Sequence, residues 1–112
     1  MTPIYTGTKV IGHVEQGVFI KHVTGSKHFL RKPPGIAINI DAIEAAKRAH
    51  ANVIQIVDAE GKRHYWVSMT DFYRHGARFN RGFGNQIVLP FERWHSTMGA
   101  ALQPVAEQTA LL

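Results

Sequence analysis

The 112-residue sequence contains no cysteine. This absence excludes disulfide bonds, thiolate catalysis and zinc sites built from thiolates. No apolar run approaches the roughly 20 residues that a membrane-spanning helix needs. The opening residues, MTPIYTGTKVIGH, lack the apolar region of a signal peptide. We therefore expect a cytoplasmic protein with no membrane partner.

The sequence also lacks the short motifs that identify common reactions. The patterns G-x-G-x-x-G, G-x-x-x-x-G-K-[ST] and G-x-S-x-G are absent, so nothing supports a dinucleotide site, a P-loop or a hydrolase nucleophile. Seven histidines are present, but they form no H-E-x-x-H or H-x-H motif. A metal site would need ligands that converge from distant segments. We therefore expect no metal site and no cofactor.

Acidic residues are missing from two stretches, 16–40 and 72–91. Most of the positive charge lies there, in a first basic segment, residues 17–35 (GVFIKHVTGSKHFLRKPPG), and a second basic segment, residues 71–86 (DFYRHGARFNRGFGNQ). The chain has 13 Lys and Arg against 8 Asp and Glu, a formal charge of +5. Cations mixed with aromatic rings offer a polyanion both an attractive field and stacking surfaces.

The apolar pattern predicts a single basic α+β domain over residues 1–95. We expect a mainly antiparallel sheet of about five strands with one principal helix, residues 41–50, packed on it. The stretches with strand character, including two hairpins, are residues 9–14, 17–23, 36–40, 53–58, 63–69 and 86–94. The β-α-β unit over residues 36–58 is a candidate for one parallel pair.

Short-range signals predict where the helices begin and end. Asp41 is expected to cap the principal helix, with Glu44 completing a capping box. Thr70 is expected to cap a short helix, DFYRH, that ends at Gly76. The stretch ARFNRGFGN contains two glycines and predicts a loop, and Pro90 is expected to push the later half of the last strand toward a sheet edge.

The composition changes after Trp94. Residues 96–112 contain no aromatic residue and one formally charged side chain, Glu107. We expect this C-terminal tail of apolar and polar residues to be either docked or disordered. A homo-oligomer would bury more apolar surface than so small a chain buries alone.

The leading hypothesis is that the protein binds nucleic acid, or another polyanion, through both basic segments on one face of the sheet. Lysine and arginine release counterions when they contact phosphates, guanidinium binds phosphate bidentately, and aromatic rings stack on bases. The candidate phosphate-binding residues are Lys21, Lys27, Arg31, Lys32, Arg74, Arg78 and Arg81. The candidate stacking residues are Phe29, Phe79 and Phe83.

Two other functions remain open. A metal-independent ribonuclease needs a base, an acid and a cation beside the scissile phosphate. His22, His28, Lys21 and Arg81 supply these residue types, although their spacing does not show that they converge. The third hypothesis is a protein-interaction or assembly subunit that uses the tail as its connector.

Overall fold

The computed structural model describes residues 1–23, 35–58, 62–81 and 84–102, which form eight strands and three α-helices. The strands are β1 (Thr2–Thr6), β2 (Lys9–Glu15), β3 (Val18–Val23), β4 (Gly35–Asn39), β5 (Val53–Asp58), β6 (Arg63–Ser68), β7 (Ala77–Arg81) and β8 (Gly84–Pro90). The helices are α1 (Ile40–Arg48), α2 (Met69–His75) and α3 (Met98–Leu102), and a 3-10 turn covers Phe91–Arg93. The predicted α+β class is confirmed.

The strands are divided between two sheets. The five-stranded sheet has the order β1-β2-β3-β5-β6, and the three-stranded sheet has the order β4-β8-β7. Among the described strands, every pairing is antiparallel except that of β3 with β5. Both predicted hairpins, β2–β3 and β5–β6, are present. Strands β4 and β5 belong to different sheets, so the β-α-β unit over residues 36–58 does not form the parallel pair that was predicted. The parallel partner of β5 is β3.

One apolar core joins the two sheets. Phe19, Ile54 and Ile56 contribute from the five-stranded sheet, and Ile38 and Leu89 from the three-stranded sheet. Each of these side chains is fully buried. Helix α1 contacts β1, β4 and β8, and α2 contacts β6 and β8. Since α1 and α2 each contact strands of both sheets, these two helices join the sheets into one unit.

Helix α1 is capped by Asn39 and not by Asp41. Asn39 is extended (φ −61°, ψ 136°), and its side-chain oxygen accepts a hydrogen bond of 2.8 Å from the backbone N–H of Asp41. A short polar residue that ends a strand in the extended region suits this position. The buried stripe of the helix is Ala42, Ile43 and Ala46, and its small side chains let the helix pack close to the strands.

Helix α2 is capped by Ser68 and not by Thr70. The Ser68 hydroxyl oxygen accepts a hydrogen bond of 3.1 Å from the backbone N–H of Asp71. The helix therefore starts directly after β6 and buries Met69 and Phe72. The predicted end of this helix at Gly76 is confirmed. A Cβ at that position would collide with the Ile87 side chain, so glycine allows the close approach of α2 to β8.

The stretch predicted as a glycine-bearing loop is instead the hairpin β7–β8. Ala77 lies opposite Val88, and Arg81 lies opposite Gly84. Pro90 is the last residue of β8, opposite Gly35. Strand β8 is the central strand of its sheet, but its pairing with β7 reaches only to Val88, so among the described strands Leu89 and Pro90 pair with β4 alone. A proline is accommodated where a strand ends.

The part of the C-terminal tail that the structure describes packs on the five-stranded sheet. Directly before the tail, His95 and Trp66 exchange backbone hydrogen bonds of 2.8 and 2.9 Å. Helix α3 then contacts β5 and β6, and its Ala101 is buried. Residues 103–112 lie outside the described residues. In the described parts of the chain, no helix combines the length and apolar character needed to cross a membrane.

Candidate nucleic-acid interface

Strand β7 forms an exposed edge of the three-stranded sheet. It pairs with β8 on one side and has no strand partner on the other within the described residues. Arg74 and His75, in the last turn of α2, and Arg78 and Phe79, in β7, are all exposed. The Phe79 side chain keeps 37% of its surface accessible. Because phenylalanine is usually among the most buried residues, an exposed ring beside arginines is a candidate ligand contact.

The two faces of β7 carry different chemistry. Arg78 lies opposite the buried Ile87, which places it at the rim of the core side. Phe79 lies opposite Gln86, and Gln86 lies opposite Asn39, so these three residues form one row on the outer face. This row combines an aromatic ring that can stack with an amide that can hydrogen-bond the edge of a base.

Polar contacts around Tyr73 hold α2 against α1. The Tyr73 hydroxyl donates a hydrogen bond of 2.8 Å to Glu44 Oε1, and Lys47 Nζ lies 4.7 Å from the centre of the Tyr73 ring. Burial, followed by the hydrogen bond and the negative charge of Glu44, raises the pKa of Tyr73 to about 12, while the positive charge of Arg78 opposes the rise. Glu44 therefore bridges two helices, and the predicted capping box is wrong.

The first basic segment is described only in its strand. Lys21 is half-buried in β3, on the same face as the core residues Phe19 and Val23. His22 is exposed on the opposite face of that strand. The candidate residues Lys27, His28, Phe29, Arg31, Lys32 and Phe83 lie outside the described residues. Arg81 is the last residue of β7, opposite Gly84.

The two basic segments do not share one sheet. Strand β3 belongs to the five-stranded sheet and β7 to the three-stranded sheet. For the strands that the structure describes, the expectation of one common sheet face is therefore wrong. The reason is topological: β4 starts a second sheet, and β7 joins it through β8.

The candidate ribonuclease residues are also separated. Lys21 and His22 are consecutive in a strand and project to opposite faces of the sheet. Arg81 belongs to the other sheet, and His28 lies outside the described residues. Lys21 and His22 therefore cannot face a common phosphate on one side of the sheet.

The outer face of the five-stranded sheet carries three histidines that were not predicted to lie together. In the five-stranded sheet, His13, Ile20, Gln55 and Trp66 form one row, and His22, Val57 and His64 form the next. The His64 ring stacks on the Trp66 ring at 5.7 Å, and its Nδ1 lies 3.1 Å from Gln55 Nε2. Alternation places each histidine on one side of its own strand, but the strand order that brings them together cannot be read from alternation.

Comparisons with models of protein families, with curated proteins and with solved structures find no match to this chain. Within the described residues, no group of three or more His, Asp or Glu side chains is arranged to hold a metal ion.

Proposed function

We propose that the protein binds single-stranded nucleic acid along β7 of the three-stranded sheet. The observation that carries this proposal is the exposed Phe79 in an edge strand, with exposed arginines at positions 74 and 78. Phe79 stacks on a base and Gln86 hydrogen-bonds a base edge on the outer face of the sheet. Arg74 and Arg78 contact phosphates at the exposed edge of β7, which is open to both faces.

The charges of this region support the proposal. Residues 72–91 contain no acid, so a phosphate backbone that follows β7 meets no acidic side chain from that stretch. Glu44 is the acid that contacts this region, and its carboxylate accepts the hydrogen bond from Tyr73. Base–aromatic stacking and phosphate contacts together account for sequence-tolerant binding of single strands.

The helices favour a single strand over a duplex. Reading the major groove of DNA requires a protruding helix or ribbon that enters the groove. Helix α2 has seven residues and buries Met69 and Phe72 in the core. It is therefore a short helix packed on the sheets and does not protrude far enough to enter a groove. An exposed sheet surface with a ring suits unpaired bases instead.

Fluorescence anisotropy with labelled 20-nucleotide oligo(U) and oligo(dT), measured over a range of salt concentrations, tests this proposal. Phe79→Ala should weaken binding about 5- to 150-fold, because one stacked base contributes roughly 1–3 kcal/mol. Phe79→Tyr keeps a ring and should restore binding. Arg74→Ala with Arg78→Ala should reduce the slope of log affinity against log salt by about 1.4, since a single-strand phosphate contact contributes about 0.7.

The matched control removes two positive charges at the five-stranded sheet. Lys9 begins β2, Lys62 directly precedes β6, and both are exposed. Lys9→Ala with Lys62→Ala should change the salt slope much less than the arginine pair does. Equal effects of both pairs, with no effect of Phe79→Ala, would show a general attraction to polyanions and overturn the proposed site. Heparin, which has no bases, should bind without any dependence on Phe79.

The same oligo(U) samples, incubated in EDTA and separated on a denaturing gel, test the ribonuclease hypothesis. We expect intact RNA. Cleavage that disappears in His22→Ala would establish an enzyme, and no contact within the described residues favours that outcome.

A further inference from the structure

A groove of about 400 Å³ crosses strands β1, β2 and β3 of the five-stranded sheet. Its apolar lining includes Met1, Val10 and Ile11. Met1 is 86% exposed and Val10 is 53% exposed. Large exposed apolar side chains that gather at one concave place on a small protein indicate a contact with a ligand more often than scattered ones do.

The groove is shaped by two features of β1 and β2. The pairing of these strands shifts register between Ile4 and Tyr5. This irregularity breaks the regular alternation near Val10. Gly12 lines the groove through its backbone, because a Cβ at this position would point toward the core. A Cβ there would collide with the Ile20 carbonyl oxygen and the Phe19 ring, so the position is restricted to glycine.

The polar lining of the groove is basic. Lys9, His13, Lys21 and His22 are among its lining residues. His13 and His22 project to the outer face of the sheet, whereas Lys21 lies on the core face of β3 and takes no part in the proposed contact. No acidic residue lines the groove among the described residues. The nearest acid on the strand is Glu15, whose carboxylate lies 3.5 Å from His13 Nε2. Ammonium and imidazole groups that surround apolar surface are complementary to an anion with an aliphatic part.

We propose that this groove binds a small molecule with a carboxylate head and a medium-length aliphatic chain. The carboxylate contacts Lys9 and His22, and the chain lies on Val10, Ile11 and Met1. Apart from the imidazoles of His13 and His22, no aromatic ring lines the groove in the described part of the chain. The rest of its apolar lining is aliphatic, so a flexible chain fits it better than a stacked nucleobase. The volume is at the lower end of the range of small-molecule sites, roughly 300–1,000 Å³. This site is independent of the nucleic-acid proposal.

Calorimetric titration with decanoate, octanoate and decyltrimethylammonium, all below their micelle-forming concentrations, tests the inference. Decanoate should bind about 15-fold more tightly than octanoate, since it has two more methylenes and each buried methylene contributes about fourfold in affinity. Decyltrimethylammonium has the same chain with a positive head and should not bind. Equal binding of the two ten-carbon probes would overturn the inference, because it would leave no role for the basic lining.

Variants then locate the site. Lys9→Ala with His22→Ala should weaken decanoate binding about 5- to 25-fold, as expected for the loss of one exposed ammonium contact and one exposed imidazole hydrogen bond. Both residues are exposed, and a circular dichroism spectrum checks that the variant folds. Arg74→Ala with Arg78→Ala should leave decanoate binding unchanged. If that second pair weakens decanoate binding and the first does not, the groove assignment is wrong.

In the wild-type protein, proton NMR provides a readout that needs no substitution. Decanoate should shift the imidazole signals of His13 and His22 while the signal of His75, in α2, stays in place. Uniform small shifts of all histidine signals would contradict a defined site.

Discussion

Strands β3 and β7 both belong to basic stretches of the sequence, but they occupy different positions in their sheets. Strand β3 has a neighbour on each side, and its Lys21 is half-buried on the core face. Strand β7 has β8 on one side, and Arg78 and Phe79 are exposed. The comparison shows that the position of a strand, and not its charge alone, decides whether its cations can reach a ligand.

The outer faces of the two sheets differ in the same way. The five-stranded sheet exposes histidines beside half-buried aliphatic residues, and α3 packs on β5 and β6. The three-stranded sheet presents the row of Phe79, Gln86 and Asn39. One core therefore supports two separate surfaces, for which we propose different ligands: nucleic acid at β7 and an aliphatic anion in the groove.

The largest expected effect tests whether the two sheets form one cooperative unit. Phe72 is fully buried in α2, which contacts both sheets, and its ring meets the Trp94 ring edge-on at 6.1 Å. Phe72→Ala should lower the free energy of unfolding by about 3–5 kcal/mol. Urea denaturation followed by far-ultraviolet circular dichroism and by tryptophan fluorescence should give coincident transitions.

Two transitions with separate midpoints would show that the sheets unfold independently. Thr70→Ala, in an exposed position of the same helix, is the control and should change stability by no more than about 0.5 kcal/mol. If Phe72→Ala does not fold, Phe72→Leu should give a smaller loss of about 1 kcal/mol.

A smaller effect tests how tightly β2 and β3 are packed. Gly12→Ala places a methyl group against the Ile20 carbonyl oxygen and the Phe19 ring. The resulting shift should destabilise the protein by about 1–3 kcal/mol. Gly99→Ala is the matched control, because no atom lies within 4 Å of the added Cβ, and alanine in α3 should be neutral or stabilising by up to about 1 kcal/mol.

Thermal denaturation measures both variants, and anisotropy measures their binding to oligo(U). At a temperature where Gly12→Ala is folded, oligo(U) binding at β7 should be unchanged, since the added methyl group lies in the other sheet. Loss of oligo(U) binding by the folded variant would show that the two surfaces are not separate.

The smallest effect is spectroscopic and concerns the contact between α1 and α2. The pKa of Tyr73 is raised from 10.0 to about 12, first by burial and then by Glu44. The neutral hydroxyl is favoured in the folded state, so its contribution to stability is complete below pH 10 and is lost as pH rises through about 12. Tyrosinate absorbance, with Tyr73→Phe subtracted, measures this pKa.

Glu44→Gln removes the negative charge beside the hydroxyl. The pKa of Tyr73 should then fall, but should stay above 10.0 because burial is the first cause of its rise. A wild-type Tyr73 that ionises together with the other two tyrosines would contradict the contact between Glu44 and Tyr73.

Local patterns in the sequence predicted much of the fold. The hairpins β2–β3 and β5–β6 and the helix α1 were identified because their residues are contiguous and their periodicity is clear. Strand β1 was missed because its five residues, TPIYT, include a proline and a single buried side chain, Ile4. The helix caps were misassigned because Asn39 and Ser68 belong to the preceding strands, where their capping role is not evident from position alone.

The candidate site was predicted in its residue types but not in its arrangement. Arg74, Arg78 and Phe79 were identified from composition. Their location at an edge depends on the pairing of β8 with both β4 and β7. The pairing of β8 with β4 joins segments that are distant in the sequence, so local patterns do not predict it. The glycines around Phe83 favoured a loop, so the row that joins Phe79 to Gln86 was not foreseen. The groove was not predicted either, because β1 forms one side of it and β1 was not predicted from the sequence.

The pairing of β3 with β5 has a consequence for how the chain folds. The hairpins β2–β3, β5–β6 and β7–β8 form from neighbouring segments, whereas β3 can meet β5 only across the intervening β4 and α1. Strands β4 and β8 pair although five elements, α1, β5, β6, α2 and β7, lie between them in the chain. Closing such distant segments costs loop entropy before any core is formed. We expect the local hairpins to appear early and the union of the two sheets to limit the rate, on the millisecond-to-second timescale of folds with many non-local contacts.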